Sequence, residues 1–80
     1  MKNVSDSVKQ FLEVFADDPD GFSEKVYNQL YNLVEVVFGN EGTTILGKYV
    51  DSNDENRFFI PERFYAQVMS EVLALQPAVT

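Results

Sequence analysis

The sequence predicts a small α+β domain in the order α-α-β-β-α, with one hairpin packed on helices. Three observations carry that prediction. Apolar residues recur at helical spacing in three stretches, an aromatic and β-branched run stands just before Pro61, and the polar run Asp51 to Asn56 separates two apolar segments. Eighty residues make a single domain, 1–80, and an apolar share of 45% is enough for a core of modest size.

The first helix is expected from about Ser5 to Ala16. Val4, Val8, Phe11, Leu12 and Phe15 form a narrow stripe, and Ser5 or Asp6 can accept from the free N–H groups of the first turn. Asp17-Asp18-Pro19-Asp20-Gly21 then breaks the helix, because proline cannot continue the ladder and glycine adopts backbone angles that other residues resist. The second helix runs from Ser23 to Phe38, with Ser23 as its cap and Gly39-Asn40 as its stop. Val26, Leu30, Leu33, Val34 and Val37, edged by Tyr27, Tyr31 and Phe38, fill an arc of roughly 160°. So wide an apolar arc calls for cover on two sides. Its wet face is interrupted by a lone Val36.

Thr43 to Val50 reads two ways. Thr-Thr-Ile and Tyr49-Val50 favour a strand by propensity, while Ile45, Leu46, Tyr49 and Val50 also share one helical face. Arg57-Phe58-Phe59-Ile60 favours the strand, since Pro61 pushes Ile60 into an extended conformation. The expected hairpin therefore pairs Thr43 to Val50 with Arg57 to Ile60 and is closed by the exposed polar run. The last helix begins at Pro61 and continues to about Leu75, before Pro77. Phe64, Tyr65, Val68, Met69, Val72 and Leu73 form its apolar face. The first few and last four residues read as loose ends.

The run from Asp51 to Glu62 also resembles an EF-hand loop. Asp51, Asn53, Glu55, the carbonyl of Arg57 and Glu62 stand at ligand positions 1, 3, 5, 7 and 12, with Phe58 at position 8. Asn56 stands where the family has glycine, and the acidic turn Asp17 to Gly21 reaches Val26 or Tyr27 where a second loop would need Glu. The resemblance implies an all-α pair of helix-loop-helix units, as in the small calbindin and S100-like proteins, that exposes an apolar groove on binding calcium. On the hairpin reading the same residues are a solvated turn and no metal or cofactor is implied.

Charge and residue types bound the function. Thirteen acidic against six basic residues give a net charge of -7, which repels nucleic acid and anionic membranes and favours basic partners. There is no Cys and no His, hence no thiol nucleophile, zinc knuckle or imidazole base. Glu62 and Glu71 face opposite ways on one helix and cannot act as an acid–base pair, and no glycine-rich phosphate loop is present. These features point away from an enzyme. With no signal-peptide core and no apolar run near the roughly 20 residues of a membrane span, the chain reads as cytoplasmic.

What remains is binding. Asp17, Asp18 and Asp20, with Glu24, form an acidic corner before the second helix, where negative charge complements the helix dipole. Asp51, Asp54 and Glu55 form a second acidic loop. The expected function is a non-catalytic module that docks these six carboxylates, Asp17 to Asp20 and Asp51 to Glu55, onto the basic site of a larger protein and blocks it. In composition alone the chain is similar to phage-type inhibitors that occupy the nucleic-acid channel of a host enzyme. The generous apolar surface of the second and last helices also suggests a homodimer or a homo-oligomeric scaffold.

Overall fold

A computed structural model describes residues 4–78 and gives an α+β domain. Its elements are α1 (Val4–Asp17), β1 (Phe22–Ser23), α2 (Glu24–Phe38), α3 (Asn40–Tyr49), β2 (Asp51–Ser52), β3 (Arg57–Phe59), a 3-10 turn (Glu62–Phe64) and α4 (Tyr65–Leu73). The sheet is antiparallel in the order β1-β3-β2, pairing Phe22 with Phe58 on one side and Ser52 with Phe58 on the other. α1 packs on α2 and α4, and α3 packs on the same two helices.

The expected succession of two helices, a hairpin and a final helix is present, with one more helix and one more strand inside it. Thr43 to Val50 is not a strand: Thr43 to Tyr49 belongs to α3, and Val50 is its extended C-cap. A strand would have sent Ile45 and Tyr49 to one face and Leu46 to the other, whereas the helix turns all three inward, where each is buried. Close packing at Gly42 makes this possible. A Cβ there would stand 2.4 Å from Val34 Cγ1 and 2.9 Å from the Phe38 Cβ, so the first turn of α3 lies against the last turns of α2. Gly39, at φ +65°, turns the chain between the two helices.

The hairpin is consequently shorter than expected, with strands Asp51–Ser52 and Arg57–Phe59. The all-α EF-hand arrangement is likewise replaced. Residues 51–59, which would have wrapped a cation, form two paired strands and a turn, in which Asn53 N donates to the Arg57 carbonyl at 3.2 Å. The extra strand, β1, is two residues long and exists through its pairing with Phe58 and Arg57.

Ser23 caps α2 as expected, its Oγ accepting from Val26 N at 3.3 Å. Phe15, Leu12, Leu30, Val34, Val68 and Val72 are almost wholly buried at the meeting of α1, α2 and α4. The apolar faces are narrower than the sequence suggests. Leu33 and Leu73, expected in the core, are 47% and 66% exposed. At the C-terminus Ala78 is held, its N–H donating to the Val37 carbonyl at 2.7 Å. The other loose ends expected, at residues 1–3 and 79–80, lie outside the described residues.

Candidate functional site

The two acidic loops come together around the sheet. Extending the β1–β3 register by one residue sets Gly21 beside Phe59, and Asp51 pairs with Phe59 from the opposite edge. Two strand spacings separate them, roughly 10 Å, although thirty positions of sequence lie between. Gly21 makes this junction possible. It sits at φ +70°, and a Cβ would stand 2.3 Å from the Phe58 carbonyl oxygen, so a side chain has no room.

Arg57 ties the first loop to the second. Its Nε donates to the Asp20 carbonyl at 3.2 Å and its second guanidinium nitrogen to the Gly21 carbonyl at 2.6 Å. The guanidinium is thereby committed to backbone oxygens and leaves the surrounding carboxylates facing solvent. Within the first loop Asp18 Oδ1 accepts from Asp20 N at 2.9 Å, bracing the turn. Asp17 and Asp20 are exposed and Asp18 half-buried.

The hairpin tip is built by Asn53. Its Oδ1 accepts from Glu55 N at 2.9 Å and Arg57 N at 3.2 Å, while its carbonyl accepts from Asn56 N at 3.0 Å. Asn56 takes the left-handed conformation at φ 58°, which asparagine tolerates better than most residues. Asp51 Oδ1 accepts from Ser52 N at 2.8 Å. Asp51, Asp54 and Glu55 are all exposed, Asp51 at the sheet's edge and the other two at the tip.

For the calcium ligand positions this arrangement is unfavourable. The side-chain oxygen of Asn53 and the carbonyl of Arg57 serve hairpin hydrogen bonds, and Glu62 lies past Pro61 in the 3-10 turn rather than at the tip with Glu55. Among the described residues no three acidic side chains gather as a cation site would require.

Sequence reasoning missed two members of the surface. Glu62 belongs with the first loop: the Tyr65 hydroxyl is held above the ordinary tyrosine range, first by partial loss of solvent and then by the negative charge of Glu62, Asp17 and Asp18. Glu41 belongs with Glu71, across an open groove of about 490 Å3 between α3 and α4 that Asn40, Thr44 and Leu75 also line. Reading Thr43 to Val50 as a strand hid that neighbourhood. Glu71 Oε1 stands 3.8 Å from Lys48 Nζ, and Lys48 is held above its ordinary range by Tyr49 first and Glu71 second.

No helix among the described residues is long and apolar enough to cross a membrane. Compared with known proteins, the chain matches no family model, no curated protein and no solved structure.

Proposed function

We propose that the protein is a non-catalytic interaction module of the cytoplasm that docks its acidic sheet side onto a basic site of a larger protein and so blocks that site. The observation that carries this reading is the placement of Gly21, which follows Asp20, and of Asp51 on opposite sides of β3, with Asp54 and Glu55 at the tip and Arg57 spent on the backbone carbonyls of Asp20 and Gly21. A folded row of carboxylates suits a surface built to hold phosphates, because fixed charges of one sign steer an opposite surface and set its register.

The helices support the same choice of partner. α2 and α3 are joined through the single residue Gly39 and are followed by a hairpin. Helix pairs that read DNA place a helix in the major groove and neutralise phosphates with Lys and Arg around it. Here α3 offers Glu41 with one lysine, Lys48, which faces Glu71, and the hairpin offers Asp51, Asp54 and Glu55. A protein partner with a basic groove fits that surface, and a nucleic acid does not.

Cross-linked capture from the cells that make the protein, run in parallel with a variant reversed to Lys at Asp18, Asp20, Asp51, Asp54 and Glu55, tests the proposal. A basic protein should be retained by the native chain, lost with the variant, and displaced from its own nucleic acid by the native chain. Equal capture by both chains would overturn it.

A further inference from the structure

We infer that α1 and α2 form a self-association face, and that its occupant is a second copy of this chain. This face borders the first acidic loop only at the end of α1, by Asp17 and Phe22. Val4, Val14, Leu33 and Val36 are 65, 61, 47 and 71% exposed, and Phe11 is 38% exposed. Two grooves of about 260 and 430 Å3, lined by Val4, Phe11, Val14 and Leu33 among others, share Ser7 and Phe11, so they form one trough along α1. Among the described residues nothing charged lines it, in a chain where 24% of residues are charged. Its occupant must therefore be apolar and neutral over the contact.

The edges of the face identify the occupant. α1 and α2 run antiparallel: Val4 and Val8 meet Leu30 and Leu33, while Phe15 near the end of α1 meets Tyr27 near the start of α2. At about 100° per residue, Val4, Ser7, Phe11 and Val14 span about 80° of α1, and past Gln10 the next charged residues are Asp17 and Asp6, about 60° and 80° beyond Val14. On α2 the charged residue bordering Leu33 and Val36 on the outer edge is Lys25. It lies in the first turn of α2, level with the last turn of α1. The face is thus acidic along one edge and basic at the other.

A two-fold axis parallel to the helices lays α1 of one copy on α2 of the other. It brings Lys25 to the partner's acidic edge twice, and it seats the projecting Val14 and Val36 against the trough. A standard interface takes ~800 Å2 from each partner, roughly a sixth of the 5202 Å2 this chain exposes, so the whole of this side would be covered.

Sedimentation equilibrium of the full chain from 10 to 500 µM, at 50 and 500 mM NaCl, tests the inference. The mass should rise from 9.1 kDa towards twice that value at both salt concentrations. The double variant Val14→Gln, Val36→Gln changes two exposed positions and should keep the native circular dichroism while staying monomeric. Lys25→Glu should weaken association several-fold at 50 mM salt, and adding Asp17→Lys should restore it. A native chain still monomeric at 500 µM would overturn the inference and leave the face to a different apolar partner. A dimer indifferent to the glutamine pair, or to Lys25→Glu, would overturn the α1-on-α2 arrangement.

Discussion

The sheet side of the molecule and the face made by α1 and α2 show solvent opposite chemistries. Around β2 and β3 the exposed groups are the carboxylates of Asp51, Asp54 and Glu55 with the neutral Ser52, Asn53 and Asn56, and the nearest guanidinium is occupied by the Asp20 and Gly21 carbonyls. Along α1 and α2 they are valines, a leucine and a phenylalanine, with charge held to the edges. The contrast teaches that a strongly acidic chain need not bind by charge everywhere. Screening shortens the reach of the first surface as salt rises, whereas apolar burial at the second is largely indifferent to it.

The largest expected way to break the contrast is Gly21→Ala. It sets a Cβ into the Phe58 carbonyl at positive φ, at a cost on the order of 3 kcal/mol, and undoes the joint between the acidic loop and the sheet. Gly47→Ala is its counterpart: Gly47 lies in α3 with nothing within 4 Å of an added Cβ, so the change should stabilise by about 0.5–1 kcal/mol. Urea denaturation of the pair checks both signs. Smaller in effect is Arg57→Gln, which releases the two carbonyl contacts. Since the side chain is partly exposed, the loss should be about 1 kcal/mol, with faster amide exchange confined to residues 18–23.

The smallest effect concerns Tyr27, which stacks on Phe58 of the sheet at 4.7 Å and packs on Phe15 of α1, so it touches both sides. Burial, and then Tyr31, holds its hydroxyl above the ordinary 10.0. The folded state thus favours the neutral phenol. The stability this contributes is full below pH 10 and is lost as pH rises through the raised value. Tyr27→Phe should flatten the alkaline limb of the unfolding curve, leaving the part due to Tyr65, whose hydroxyl is raised as well.

Local chemistry made much of the fold legible. Ser23, Gly39 and the apolar stripes bound α1 and α2, and Pro61 marks the strand before it, because caps and breakers act within a few residues. Thr43 to Val50 escaped because its strand propensity is local, while its helical state depends on Gly42 meeting Val34 and Phe38. β1 escaped because two residues carry no pattern of their own and are fixed by partners some thirty-five positions on. The same limit applies to the site. Each carboxylate was visible as a residue type, but the flanking of Phe59 by Gly21 and Asp51, and the one groove lined by Glu41 and Glu71, exist only after folding.

The most direct test of the two-surface account is an amide-shift titration of the native chain with a decalysine peptide at 50 and 500 mM NaCl. The account predicts shifts confined to residues 17–21 and 51–57 that all but vanish at the higher salt, with the amides of α1 and α2 around Val14 and Val36 unmoved at either. Shifts centred on α1 and α2, or a response on the sheet side that persists at 500 mM, would contradict it.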